Sequence, residues 1–328
     1  MNLTHPTDFA APQHLRRVVV TGAAGFIGSH LSRALLEAGT TVIGIDRRDP
    51  QRDPSAAANL CELTTFPNFV PLTADLMTCP MDPVLLDADA VFHLAALPGV
   101  RPSWGSKFDA YVAANILSVQ RIMAAASRLH IHRVVLASSS SVYGATDGTP
   151  SRETDRTGPL SPYAVTKLAA EQLCLAHAAR PGSTTSVIAL RYFTVYGPRQ
   201  RPDMLIHRVL ASALGQTPLH LFGSGLQQRD FTYVDDVVRA TIAAAMAPVA
   251  NTVMNVGGGT STSVADVLDI ARHLTGRQVP VIRSAAAAGD VPATLADITQ
   301  AHHLLAWKPE VSLADGMEQQ LRHLKESG

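Results

Sequence analysis

Residues Thr21–Leu31 read TGAAGFIGSHL, which spaces Gly22, Gly25 and Gly28 three apart, directly after the β-branched run Val18, Val19, Val20 and directly before a helical pattern. Each glycine has its own task in such a loop. The first permits a tight turn, the second lets backbone N–H groups approach a pyrophosphate, and the third lets the next helix pack closely on the strand. The helix N-terminus then faces the phosphates with its unpaired N–H groups and positive end. Three packing glycines in an ordinary turn give the same letters, and it is the flanking strand and helix that select the anion-binding reading.

Working outward, TTVIGID ends at Asp46, where a carboxylate can accept from both hydroxyls of an adenosine ribose. It would repel a 2′-phosphate, so NAD is expected over NADP, although Arg47 and Arg48 each offer a phosphate a partner. Asp75, at the end of NFVPLTAD, is placed to meet the adenine amino group, or is a plain turn residue. RRVVVTG, TTVIGID, NFVPLTAD, AVFHLAA, RVVLASSS and TSVIALRYF are six short apolar runs. Helical patterns separate several of them, among them SHLSRALLEAG, KFDAYVAANILSVQRIMAAASRL and SPYAVTKLAAEQLCLAHAAR. Strands alternating with helices predict an α/β fold with a doubly wound parallel sheet. Beyond Arg191 the texture turns to loops rich in Gly, Pro, Arg and Gln, with helices near 206–214 and 263–274, which reads as a smaller C-terminal substrate-binding lobe. The expected division is 15–190, also receiving about 231–258, for the cofactor domain, and 191–230 with 259–328 for the lobe. The start, to about His14, reads as frayed, and Ala285–Ala288 as a loop or helix end.

Composition bounds the partners. The 328 residues carry 27 Lys plus Arg against 27 Asp plus Glu, so no long-range field recruits nucleic acid or an anionic membrane. No signal-peptide pattern opens the sequence and no run of apolar residues is long enough to span a bilayer. Cys61, Cys79 and Cys174 are scattered, without metal-ligand spacing, and read as packing residues in a reducing cytoplasm; no metal is expected.

SPYAVTK supplies the second constellation. Ser161 reads as the N-cap, Pro162 as the first helical residue, and Tyr163 and Lys167 as i and i+4 on one face. A phenol has a pKa near 10 in water and is a poor base at neutral pH. A neighbouring ammonium and the positive nicotinamide of a bound cofactor would lower it toward the working range.

The ordered set TGAAGFIGSHL, HLAALPGVRPSW, SSSSVYG, SPYAVTK, RYFTVYGPRQRPDM, GSGLQQRDFTYVDDVV and GDVPATLADITQA resembles the extended short-chain dehydrogenase/reductase superfamily. Within it the chain is most similar to the NAD-dependent nucleotide-sugar epimerases and dehydratases, over about residues 17–321. The resemblance implies a Rossmann-type sheet, NAD as cofactor and a UDP-sugar as substrate. It implies cofactor contacts at Gly22, Gly25, Phe26, Ile27, Gly28, Asp46, Asp75, Leu76, Leu94, Ala95 and Ala96, and at Tyr163 and Lys167. It also implies Ser139 as the serine that binds the reacting hydroxyl together with the catalytic Tyr163, while Lys167 holds the nicotinamide ribose.

The four serines 138–141 narrow the chemistry. Related 4,6-dehydratases carry an acidic pair after the position of Ser139, and UDP-glucuronate decarboxylases a glutamate at the second position; this chain has Ser140 and Ser141. Neither can act as acid or base near pH 7, so reversible oxidation at C4 remains and a 4-epimerase is expected. The motifs look most like UDP-glucuronate 4-epimerases, in which hydroxyls matching Ser139, Ser140, Ser141 and Thr194 surround the sugar carboxylate. Neutral donors suit a carboxylate in a partly dehydrated pocket. Small residues leaving room for a neutral hexose, hence UDP-glucose 4-epimerisation, and UDP-glucuronate decarboxylation are the enzymatic alternatives. A non-catalytic dinucleotide sensor is disfavoured by the intact Tyr163 and Lys167.

By resemblance Arg201 and Arg229 meet the diphosphate, whereas Arg199 reads as an ordinary loop arginine. Many relatives carry arginine three residues before the aspartate of GD; here Ala287 precedes Asp290, with Arg283 as a possible substitute. Arg101 in PGVRPSW either approaches the sugar or braces a loop. Alanine and leucine stripes over 111–126 and 164–179 suggest a homodimer interface.

Overall fold

A computed structural model describes residues 14–285 and 291–327. The frayed start before His14, most of the Ala285–Ala288 run, and Ala287 with Asp290 lie outside the described residues. In chain order the first strands are β1 (Arg17–Thr21), β2 (Thr41–Asp46), β3 (Phe69–Thr73), β4 (Ala90–His93), β5 (Arg133–Ser139) and β6 (Ser186–Tyr192). After them come β7 (Thr194–Tyr196), β8 (Leu219–Phe222), β9 (Gln228–Tyr233), β10 (Thr252–Val256), β11 (Ser261–Ser263) and β12 (Val281–Ser284). The main sheet runs β10-β6-β5-β4-β1-β2-β3, parallel throughout. This is the Rossmann order with one strand added.

Parallel strands lie between two helical layers, which is why their residues are almost continuously apolar. The strand period of two still sorts them. Val18 and Val20 enter one core with Leu31 and Leu35 of helix Phe26–Glu37 and Val237 of helix Val234–Met246. Val19 enters the other, with Ile122 of helix Ser118–Arg128 and Cys174 of helix Pro162–Ala178. A smaller sheet β11-β9-β7 and the parallel pair β12-β8 complete the described strands.

The strand order reverses beside β1, whose neighbours are β2 and β4. A doubly wound sheet opens a crevice at that point, outside the carboxyl ends of the strands, and the glycine loop, the stretch after His93 and the serine run all leave the sheet there.

Three expectations are corrected. The sheet has seven strands rather than six, because the short TVMNV segment pairs with β6. TSVIALRYF is not one strand: β6 ends at Tyr192, Phe193 N–H bonds the Val256 carbonyl, and Thr194 begins a different sheet. The long helix expected over 107–129 is α-helical at Phe108–Val112, π-helical at Ala113–Leu117 and α-helical again at Ser118–Arg128.

Candidate active site

A cavity of about 960 Å³ fills the crevice. Gly22, Gly25, Phe26, Ile27 and Gly28 line one end, with Asp46, Asp75, Leu76, Leu94, Ala95 and Ala96. The first helix begins at Phe26 behind Gly25, which contributes no side-chain cap, so the open first turn is available to an anion. Gly28 has no alternative: a Cβ there would collide with the Gly22 carbonyl oxygen. Gly22 adopts φ +74°, where side chains are strained, and a Cβ would come within 2.9 Å of Ala95 N. Such a bare cradle beside a strand-end carboxylate fits the pyrophosphate and ribose of NAD.

Asp46 is more engaged than its strand-end position suggests. It accepts Ala24 N–H (3.1 Å) and is gripped by Arg48 through Nε (3.2 Å) and a terminal nitrogen (3.2 Å). Arg48 is thus committed to Asp46, while Arg47 is an exposed lining residue. Asp75 combines both of its readings, lining the cavity and accepting Met77 N–H (2.8 Å) within its turn.

At the cavity's centre stand Ser138–Ser141, Tyr163 and Lys167. Ser161 caps the helix, accepting Ala164 N–H at 3.1 Å, and Pro162 follows at the first position. Ser139 caps the short helical turn Ser140–Tyr143, accepting Ser141 N–H (3.2 Å) and donating to Ser141 Oγ (3.1 Å). It also lies near enough to the Tyr163 phenol to favour its ionised form. Ser138 faces the other way and donates to Glu171 Oε2 (2.9 Å), which is locked to Arg191 at 2.6 Å in a buried pair. The serine run is therefore divided, with one hydroxyl anchored in the core and the rest at the cavity.

Burial pushes the Tyr163 phenol above its usual range, and the Ser139 hydroxyl and the charge of Arg201 pull it down. The sequence reading expects that lowering from Lys167 together with the nicotinamide of a bound cofactor; of this chain's own groups, Ser139 and Arg201 exert it here, against the larger effect of burial. Burial lowers Lys167 to about 8, so the ammonium is itself poised to lose its proton. His93, at the end of β4, is lowered to about 3, first by burial and then by Lys167. Its Nδ1 meets Thr21 Oγ1 at 2.7 Å; because Ser118 gives its proton to Ala114 O (2.7 Å), the imidazole N–H is at Nε2, facing Ser118 at 3.4 Å, and the Thr21 hydroxyl donates to Nδ1.

Thr194 and Arg201 also line this cavity. Arg201 is engaged by Asp203 through two bonds of 2.9 Å. Arg101 and Arg229 line instead a second cavity of about 290 Å³, with Arg208, Phe222 and Phe231. The two cavities meet at Gly99, Val100, Thr194 and Asp203. Arg101 braces: its guanidinium lies 4.1 Å above the Phe222 ring. Arg283 donates to the Ser224 carbonyl (2.8 Å) and is not among the residues lining either cavity.

Arg199 departs from its reading as a loop arginine: it lines the large cavity and pairs with Glu62 at 2.9 Å. Cys174 lies in the core and Cys79 packs against it, as expected, whereas Cys61 is exposed, which corrects the packing role expected for that thiol. Asn59, Ser118 and Gln200 line the large cavity and Arg208 the second, all unforeseen. Asn59, Ser118 and Arg208 belong to helices with no motif of their own, whereas Gln200 sits inside RYFTVYGPRQRPDM and could have been found there. Among the described residues no cluster of three His, Cys, Asp or Glu could hold a metal, and no helix is long and apolar enough to cross a membrane.

Residues 18–257 match the family model described as NAD dependent epimerase/dehydratase family. A Bacillus subtilis (strain 168) protein described as an uncharacterized UDP-glucose epimerase, YtcB, is 42% identical over 94% of this chain and 98% of its own length. The UDP-glucuronate 4-epimerase of Thermodesulfobacterium geofontis is 35% identical over 94% of this chain and 96% of its own length. The Bacillus cereus UDP-glucuronic acid 4-epimerase, solved with UDP-glucuronic acid and NAD, superposes with a TM-score of 0.90 at 39% identity, covering 95% of this chain and all (100%) of that one.

Proposed function

Because this chain belongs to the NAD dependent epimerase/dehydratase family, we propose that it interconverts UDP-glucuronate and UDP-galacturonate through a transient 4-keto sugar. Gly22, Gly25 and Gly28 with Phe26 and Ile27 cradle the pyrophosphate of NAD, Asp46 takes the adenosine ribose, and Lys167 holds the nicotinamide ribose. NAD held there would supply a reversible hydride acceptor for C4, and the configuration inverts when the 4-keto sugar presents its other face. Tyr163 removes the C4 hydroxyl proton and restores it on return, and Ser139 orients that hydroxyl.

The observation that carries the reading is the company kept by Tyr163. Ser139, Ser140 and Ser141 line the cavity beside it, and among the described residues the only acids lining that cavity are Asp46, Asp75 and Asp203. Asp203 is tied to Arg201, and the other two belong to the cofactor end. No carboxylate is at hand to take the C5 proton or to expel a C6 hydroxyl. Three hydroxyls at 139–141 with Thr194 provide neutral donors for a sugar carboxylate, each such bond to an anion contributing about 1.5–3 kcal/mol. Kept charged and near the ring plane, that carboxylate is restrained from leaving as carbon dioxide when C4 is a ketone.

Incubation with UDP-glucuronate and separation of the products tests this. UDP-galacturonate is expected; a UDP-pentose or a dehydrated sugar rejects it. The 42% identity to YtcB supports UDP-glucose as a second substrate, and the ratio of kcat/KM for the two sugars decides between them.

Residues 191–230 and 259–328 act as the nucleotide-sugar lobe on a cofactor domain of 15–190 with 231–258; the second cavity, with Arg229 on its wall, takes the nucleotide. The exposed Leu117 and Val165, on adjacent helical segments, support a homodimer through that face, to be checked by sedimentation. Three free thiols suit the reducing cytoplasm.

A further inference from the structure

The stretch HLAALPGVRPSW crosses from the end of β4 to the wall shared by both cavities, and its turn at Leu97–Gly99 is gripped by two side chains of one helical segment. Asn115 accepts Leu97 N–H (2.7 Å) and donates to Leu97 O (3.1 Å) and Thr166 Oγ1 (3.0 Å). Thr166 in turn donates to the carbonyl of Tyr163 (2.8 Å). Tyr111, one turn earlier on the same face, directs its hydroxyl at Pro98 O (2.9 Å) and Gly99 O (3.1 Å). Its ring meets the Tyr163 ring edge-on, centroids 6.4 Å apart. Both side chains are buried, at 3% and 2% exposure. Gly99 has φ +99°, so the turn holds a shape that other residues adopt only with strain. Two residues on, Arg101 reaches Phe222 on β8, across the second cavity.

We propose that Tyr111 and Asn115 are positioning residues: they clamp the Leu97–Gly99 turn so that Arg101 is set on Phe222, closing the nucleotide cavity in register with Tyr163. Through Thr166 the clamp also ties the wall of the nucleotide's seat to the helix that carries Tyr163. The inference rests on the reading that the second cavity takes the nucleotide. It assigns Arg101 to the strap rather than to the sugar.

Tyr111→Phe keeps the ring against Tyr163 and removes only the two hydrogen bonds, and Arg101→Met keeps the chain length and removes the guanidinium. Titration with UDP alone is expected to show about fivefold to tenfold weaker binding in either variant. The double variant is expected to be no weaker than the worse single one, because both changes release the same strap. With UDP-glucuronate or UDP-glucose, KM should rise by a similar factor while kcat stays within about twofold, and the melting temperature should hold. Unchanged UDP binding in Tyr111→Phe, effects that multiply in the double variant, or a loss of kcat at constant KM would each overturn the proposal. Should the wild type turn over neither sugar, the epimerase reading fails while the UDP titration still judges the clamp.

Discussion

The two ends of the large cavity are made differently. The cofactor end is mostly backbone, a glycine turn and an uncapped helix start that one continuous stretch supplies, with the Asp46 carboxylate added from β2. The sugar end is mostly side chains, from the serine run at the end of β5, Tyr163 on its helix and Thr194 on β7. Backbone donors bind any dinucleotide phosphate and tolerate change at neighbouring side chains. Side-chain donors tell one sugar from another, and each can be altered without moving the chain.

The sharpest way to separate the ends is Tyr163→Phe. It should reduce kcat by about a thousandfold, the usual range for losing a general acid–base, while the purified protein keeps its NAD. Loss of the cofactor as well would mean that the ends are not independent. Next, Ser140→Ala combined with Ser141→Ala should raise KM for UDP-glucuronate by about a hundredfold or more, from two lost bonds to an anion, and leave KM for UDP-glucose little changed. Equal effects on both sugars would show that the serines do not read the carboxylate.

A change at the other end should give the reverse pattern. Gly28→Ala places a methyl group on the Gly22 carbonyl, and the shift needed to relieve it should weaken NAD by about tenfold to a hundredfold, with the affinity for UDP retained. The smallest effect is one of pH. The lowered Lys167 holds its proton below about 8 and gives it up above, so kcat should fall to about half near that pH and continue downward as the pH rises. Lys167→Arg, which stays charged, should remove that alkaline limb; a limb that persists would assign it to another group.

Much of the site was legible because the chemistry is carried by short-range spacing. Gly22, Gly25 and Gly28 are three apart, Tyr163 and Lys167 are one helical turn apart, and Ser161 and Pro162 mark where that turn starts. Local spacing becomes spatial arrangement as soon as the element type is known. What escaped notice is held by partners distant in sequence. Arg199 looks like a loop residue until Glu62, 137 residues away in the chain, meets it. The seventh strand, Thr252–Val256, joins the sheet only through its pairing with β6, more than 60 residues before it in the chain.

From the residues alone came the alternation of strand and helix, the phosphate-binding loop, the tyrosine–lysine pair and the absence of acids in the serine run. All follow from periodicity and from which groups can ionise near neutral pH. Only the folded chain decided that Ser138 turns into the core while Ser139 turns toward Tyr163, that burial and Arg201 pull the phenol in opposite directions, and that Tyr111 reaches the turn before Arg101. Those outcomes depend on distances between segments far apart in the chain and on how much water each group has lost. Neither quantity is carried by a residue or its near neighbours; both come into being when the layers pack.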